Sequence, residues 1–280
     1  MVRVFFDTVL HRWLRIPYTL NVRVFQNPKK PKATYVFIHG IGNTLHSWDE
    51  VVHNLPHDVR LIGIDLLGFG QSPKPSWAVY NAKTQARSVA VTLLRIPFIQ
   101  QPVLVGHSLG ALVAVEVAKR YPLFVKRLVL CSPPFYNPEV QKPEWKAPER
   151  WLRAFYRTVK KHPERLEQLS PLAVKAGLAN KALNVTKDNV AAYMAALESS
   201  IINQTALQDI YQLTLPIMIF YGTFDPVVVA RHIVSLANER PNIAVKRLAV
   251  GHEVTGSYAK VVAQYLRADE VLSLSAEGSR

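Results

Sequence analysis

Short runs of uninterrupted apolar residues alternate along this chain with longer stretches whose apolar positions recur every three or four residues. Such an order predicts buried strands separated by amphipathic helices, the arrangement of a mostly parallel sheet with crossover helices on both faces. Strands are expected at residues 18–25, 34–38, 59–65, 102–105, 127–130, 217–221 and 243–248, and helices at 81–94, 111–120, 227–237 and about 256–266. Turn chemistry falls between them, as in Asn27-Pro28-Lys29-Lys30-Pro31-Lys32. After Pro133-Pro134 the alternation stops, and residues 135–215 carry helical patterns without a convincing strand. The sheet pattern resumes at Pro216. The expected organisation is therefore one α/β core from residues 1–133 and 216–270, a helical cap inserted at 134–215, and a flexible tail at 271–280.

The length of 280 residues suits one large α/β domain. Hydrophobic residues make up 49% and charged residues 19%, and no apolar run approaches the roughly 20 residues of a membrane span, so a soluble protein is expected. The first 20 residues scatter Arg3, Arg12 and Arg15 among apolar positions and lack a continuous apolar segment with a cleavage site, which argues against a secretory signal. The single cysteine, Cys131, ends an apolar run and excludes an intramolecular disulfide. A buried thiol in a cytoplasmic protein is the expectation.

A formal charge of +14 is unusual for such a chain. Its basic residues are dispersed, without aromatic interleaving or zinc-ligand spacing, so a solvated basic surface is favoured over a nucleic-acid site. Weak association with an anionic membrane surface is retained as an expectation. Val2, Phe5, Phe6, Val9, Leu10 and Trp13, with Arg3, Arg12 and Arg15, could form a short interfacial helix, although packing of this segment on the sheet domain is the plainer reading.

The candidate chemistry lies at Gly106-His107-Ser108-Leu109-Gly110, between the apolar run 102–105 and the helix pattern 111–120. A sharp strand-to-helix turn strains the backbone of the central serine and leaves no room for side chains two residues to either side, hence the glycines. Ser108 needs a base to take its proton, and the base needs an acid to hold its tautomer. Ligand chemistry in an open α/β sheet gathers at the carboxyl ends of strands. Asp225, after the strand 217–221, and His252, after the strand 243–248, meet that condition in the order Ser, Asp, His. Glu139 and Asp209 are rival acids. The amide of Leu109 is placed by position to donate to an oxyanion. His39 and His107 flank the site and more plausibly shape the pocket or brace loops than move protons, and Asp65 is read as a loop stabiliser.

These segments resemble the α/β-hydrolase superfamily, in particular its capped branch of small-molecule esterases, carbon-carbon bond hydrolases, haloalkane dehalogenases and epoxide hydrolases. The resemblance runs from about Thr34 to Leu266. It rests on His39-Gly40-Ile41-Gly42, Trp48, Asp65-Leu66-Leu67-Gly68-Phe69-Gly70-Gln71-Ser72, the serine pentapeptide, Gly222-Thr223-Phe224-Asp225-Pro226 and Gly251-His252. It implies an α/β-hydrolase fold with a Ser108–Asp225–His252 triad, and a second oxyanion donor in the amide of Ile41, in a loop made tight by Gly40 and Gly42. Dehalogenases and soluble epoxide hydrolases carry aspartate where this chain has Ser108, which disfavours both chemistries.

The expected activity is hydrolysis of a small carboxylic ester or related acyl compound. A carbon-carbon bond hydrolase of a dienoic ketone, a perhydrolase-like activity and a hydrolase-like ligand receptor or membrane-surface binding protein are the alternatives. Trp145, Trp151, Phe155, Tyr156, Tyr193 and Met194 could line an apolar acyl site, with core packing the plainer role for each. No metal-ligand spacing or phosphate-binding glycine loop is present, so no cofactor or metal is expected.

Overall fold

The computed structural model describes residues 8–97, 100–136, 147–175 and 179–277. Seven strands are found among them, β1 (Val22–Gln26), β2 (Thr34–Ile38), β3 (Arg60–Ile64), β4 (Val103–His107), β5 (Arg127–Cys131), β6 (Ile217–Gly222) and β7 (Ile243–Leu248). They form one sheet in the order β1-β3-β2-β4-β5-β6-β7, antiparallel at the β1–β3 edge and parallel elsewhere. Every residue of β2, β4 and β6 is buried, as their continuous apolar runs demand of strands covered on both faces. The edge strand β7 is half exposed and reads Ile-Ala-Val-Lys-Arg-Leu.

Alternate side chains of the central strands point into two cores. Val36, Ile38, Leu104, Leu128, Leu130 and Ile219 face α2 (Ala82–Leu93), α3 (Leu109–Arg120) and α8 (Ala230–Glu239). Tyr35, Phe37, Val103, Val105, Val129 and Phe220 face Trp48, beside the short α1 (Asp49–Val52), and Tyr258, Val262 and Leu266 of α9 (Ser257–Glu277). Helix α3 is buried along Leu109 to Ala118, which explains why its sequence is apolar all round. Its one acid, Glu116, is buried and is paired with Lys119 and Arg120.

Between β5 and β6 the described residues hold helices and turns but no strand: α4 (Ala147–Lys161), α5 (Glu164–Lys175), α6 (Val190–Ala196), which runs on as a π-turn over Leu197–Ile202, and α7 (Ala206–Asp209). Three boundaries differ from the sequence reading by three residues or more. The first strand begins at Val22 because the buried amide of Leu20 donates to Thr92 Oγ1, 2.9 Å, instead of to a ladder. Helix α8 begins at Ala230, since the Asp225 carboxylate draws off the amides of Val227 and Val228 just before it. The last helix, expected to end near residue 266 with a flexible tail from 271, continues to Glu277; no proline or glycine interrupts it before Gly278. The sole cysteine, Cys131, is fully buried, and burial pushes its thiol pKa up.

Candidate active site

Ser108 stands at the junction of β4 and α3 with φ 50° and ψ −117°, a left-handed conformation that costs a non-glycine residue on the order of 1–3 kcal/mol. Its surroundings hold it there. The Ser108 amide donates to the carbonyl of Cys131 on β5, 3.0 Å, and its carbonyl accepts from Ala111 at the start of α3, 3.0 Å. A β-carbon at Gly106 would lie 2.5 Å from the carbonyl oxygen of Gly110, and one at Gly110 would run into the carbonyl of Ile38. The two glycines are thus required by the close crossing of backbone, as the pentapeptide predicts. Leu109 opens α3, so its N–H is one of the first-turn donors that have no acceptor within the helix.

The turn after β2 comes against this elbow. A β-carbon on Gly40 would sit 3.2 Å from the Cβ of Ser108 and 2.9 Å from Nδ1 of His107, so only glycine permits the approach. Ile41 and Ser108 line one cavity of about 280 Å³. His39, fully buried, donates through Nδ1 to the carbonyl of Gly40, 2.7 Å, and accepts at Nε2 from the amide of Leu66, 2.9 Å. Burial lowers its pKa, so the ring is neutral and ties the loop after β2 to the loop after β3. Asp65 braces the same region, accepting from Leu45 N at 2.7 Å, Asn21 Nδ2 at 2.8 Å and Gln71 N at 2.9 Å.

Asp225 and His252 meet across the β6–β7 pair. The segments after these strands are joined by Thr223 N to Leu248 O, 2.8 Å, and Phe224 N to Val250 O, 3.0 Å. His252 Nδ1 donates to Asp225 Oδ2 at 2.8 Å, while Asp225 Oδ1 accepts from Val227 N at 2.8 Å and Val228 N at 3.2 Å. Burial alone would raise the pKa of Asp225, but the facing imidazole and these donors hold it below the usual carboxylate range. Burial likewise presses down on His252, and the Asp225 charge and hydrogen bond outweigh it, so its pKa is raised. The bond at Nδ1 fixes the tautomer that keeps Nε2 as an acceptor.

His107 donates through Nε2 to the carbonyl of His252, 3.0 Å, with the two rings 4.9 Å apart. Its own pKa falls to about 3, chiefly from burial and then from the neighbouring His252, so it is a neutral brace across the physiological range. Of the rival acids, Asp209 is engaged by Lys119 at 2.8 Å and Thr205 at 2.7 Å, and Glu139 lies outside the described residues.

The helical segment between β5 and β6 supplies Phe155, Leu183, Tyr193, Leu197 and Ile201 to the cavity that Ser108 and His252 share. Phe155 and Tyr193 are therefore lining residues, whereas Met194 packs beside the Val159–Leu166–Val185 cluster. The placement of Trp145 and of the Trp151 side chain lies outside the described residues. Sequence reasoning missed three groups. Ser132, buried with φ 49°, follows β5; its hydroxyl shares a hydrogen bond with Tyr258 Oη at 3.3 Å and helps keep Asp225 ionised. Glu253 and Asn43 add polar groups to the wall of a cavity whose lining is mostly apolar; burial raises the pKa of Glu253, opposed first by His252 and then by Asn43. Position alone carried a signal, since Glu253 adjoins His252 and Asn43 adjoins the Gly40–Gly42 turn. Among the described residues no group of three or more His, Cys, Asp or Glu could hold a metal ion.

Residues 35–254 match the family model described as the alpha/beta hydrolase fold. The chain is 34% identical over 115 residues to "Probable lysophospholipase BODYGUARD 4" of Arabidopsis thaliana, 40% of this chain and 28% of that protein. It is 40% identical over 97 residues to an uncharacterised protein of Mycobacterium tuberculosis, 35% of this chain and 28% of that one. The matched stretch thus spans under a third of the length of these relatives. Solved structures of similar fold include E-2-(acetamidomethylene)succinate hydrolase, with TM-score 0.69, 21% identity and coverage of 88% of this chain and 93% of that one. The enol-lactonase of Burkholderia xenovorans gives TM-score 0.67 and 19% identity, over 91% of this chain and 100% of that one. With a family match over most of its length and the strand order, elbow and turn geometry described above, the chain belongs to the α/β-hydrolase fold family.

Proposed function

We propose that the protein is a serine hydrolase that cleaves a compact carboxylic ester through an acyl-enzyme on Ser108. The observation that carries this reading is the 2.8 Å bond from His252 Nδ1 to Asp225, which leaves Nε2 as an acceptor in the same cavity as the strained Ser108. His252 takes the Ser108 proton as the hydroxyl oxygen attacks the ester carbonyl. The backbone N–H groups of Leu109 and Ile41 receive the oxyanion, each such donor contributing about 3–4 kcal/mol at the transition state. His252, now charged and stabilised by Asp225, returns the proton to the departing alcohol. Water then gives a proton to His252 as its oxygen attacks the acyl carbon, and His252 passes that proton to Ser108 Oγ as the acid departs.

A cavity of about 280 Å³ lies at the small end of ordinary ligand pockets, which supports a compact substrate. Its mostly apolar lining supports an acyl group there, and the polar groups of Asn43 and Glu253 support a leaving alcohol with a further polar group. Similarity to probable lysophospholipases is consistent with ester cleavage. The test is labelling by a fluorophosphonate probe followed by hydrolysis of aryl esters of increasing acyl length. Labelling is expected in the wild type and absent in Ser108→Ala, with a loss on the order of 10⁶ in kcat. Wild-type protein that resists the probe while a control esterase reacts would refute the proposal.

A further inference from the structure

A second cavity, of about 310 Å³, shares no lining residue with the Ser108 cavity among the described residues. It lies between the N-terminal turn Thr8–Trp13 and the segment that leads into α2, with His11, Arg12, Arg15, Tyr18, Trp77 and Arg87 in its wall. Three arginines line it, and no carboxylate is among its described lining residues. The wall also includes Ser88, 1% exposed, whose hydroxyl has no hydrogen-bond partner. The arrangement is fixed from both sides: Arg87 Nη2 donates to the carbonyl of Arg15, 2.9 Å, His11 bonds to the carbonyl of Ile16, 2.7 Å, and the His11 ring stacks on Tyr18 at 3.6 Å.

Large apolar side chains are exposed around the cavity. Trp13 is 78% exposed, Leu14 63%, Val79 59% and Ile16 44%. Thr8, Val9 and His11 of the Thr8–Trp13 turn are half-buried, while Leu10, Arg12 and Trp13 are exposed, so the turn leaves part of its apolar surface uncovered. An exposed tryptophan among aliphatic side chains, bordered by arginines, has the composition of an interfacial anchor, which places its apolar groups at the acyl boundary and its cations at the phosphates. The chain's net charge of +14 adds a long-range attraction of the same sign.

We propose that this face docks on an anionic phospholipid surface, with Arg12, Arg15 and Arg87 drawing lipid phosphates and Trp13, Leu14, Ile16 and Val79 entering the interfacial layer. Arginine suits the task because its planar fork binds phosphate in pairs of hydrogen bonds. Docking here is a matter of binding alone, so it stands or falls independently of any chemistry at Ser108.

The test is cosedimentation of the full chain with vesicles of phosphatidylcholine alone or mixed with phosphatidylglycerol, alongside thermal unfolding to verify that each variant is folded. The wild type should pellet with the anionic vesicles, more weakly as salt rises, and remain in solution with the neutral ones. An arginine at the membrane surface is worth about fivefold in affinity, so Arg12→Glu with Arg15→Glu should weaken binding ~25-fold or more, while Arg12→Lys with Arg15→Lys should keep most of it. Trp13→Ser with Leu14→Ser should weaken it about tenfold and abolish any blue shift of tryptophan emission on vesicle addition. Equal pelleting with neutral vesicles, no pelleting of folded wild type, or binding that survives the Arg→Glu pair would each overturn the proposal. So would competition by soluble glycerol phosphate as effective as that of vesicles at matched phosphate, which would make the cavity a small-anion site.

Discussion

Asp225→Asn isolates the acid of the proposed triad, and the hydrogen bonds around Asp225 determine what the substitution does. Oδ1 faces two N–H donors, Val227 at 2.8 Å and Val228 at 3.2 Å, and an amide nitrogen placed there would meet both head-on. The asparagine oxygen must therefore keep that position, and its NH₂ must take the place of Oδ2, 2.8 Å from His252 Nδ1. A donor now faces Nδ1. The imidazole responds by accepting at Nδ1 and carrying its proton on Nε2, toward Ser108, where a base is needed. A triad forced into the wrong tautomer in this way loses roughly 10⁴-fold in kcat, about 5.4 kcal/mol at ~1.36 kcal/mol per decade. Loss of the negative charge without a change of tautomer would merely lower the basicity of His252, a loss of about 10–100-fold. The two outcomes are separable by kcat on an aryl ester and by the second-order rate of fluorophosphonate labelling, measured together on folded variant and wild type. A loss under tenfold in both would refute the assignment of Asp225 as the orienting acid.

Glu253→Gln removes a carboxylate that raises the pKa of His252, so the acidic limb of the kcat/KM profile should move to lower pH; a limb that stays put or moves up contradicts the role. Gly110→Ala forces a β-carbon against the backbone of Ile38 and His39 and should destabilise by about 1–3 kcal/mol or more, a fall in Tm of ~2–4 °C per kcal/mol, read by calorimetry. Gly251→Ala, with nothing within 4 Å of the added carbon, should stay within about 0.5 kcal/mol of wild type. The Asp225–His252 pair contributes stability above the ordinary carboxylate value near 3.9, which is lost as pH falls through the depressed pKa of Asp225. Its His252 share is fully present below about 6.5 and is lost as pH rises through the raised pKa. Asp225→Asn should accordingly destabilise more at mildly acidic than at alkaline pH in urea titrations, and an equal or reversed difference would contradict the pairing.

The central strands were legible because burial on both faces leaves little choice of residue. Thr34–Ile38 has the bounds expected, as does the half-exposed edge strand Ile243–Leu248, and the elbow glycines announced a backbone crossing that the carbonyls of Ile38 and Gly110 now explain. Helix starts were less legible. Asp225-Pro226 has the composition of a helix cap, yet the carboxylate binds the amides of an isolated turn, and Val229, at φ −93° and ψ 88°, is still outside the helix. Ser132 and Glu253 escaped for another reason. Neither belongs to a motif: Ser132 acquires its role from Asp225, distant in sequence, and Glu253 acts on the adjacent His252 from a buried corner that it shares with the distant Asn43. Local pattern records which face a residue takes, but not what it meets there.

The two histidines that share the Ser108 cavity show how that meeting decides chemistry. His107 and His252 are both buried imidazoles 4.9 Å apart, and burial presses both toward neutrality. His107 donates to a backbone carbonyl and faces another imidazole, and the more weakly felt Asp225 charge does not offset burial, so its pKa falls to about 3. His252 finds a carboxylate whose ionisation is itself secured by Val227 and Ser132, and its pKa rises instead. The same desolvation thus makes one ring inert and, once a charge is placed against it, leaves the other able to gain and give back a proton. What distinguishes them is strand order: His107 ends β4 in the middle of the sheet, while His252 follows β7, beside the strand that carries Asp225. Adjoining strand ends thus pair Asp225 with His252, and the proposed role of His252 as base rests on that pairing.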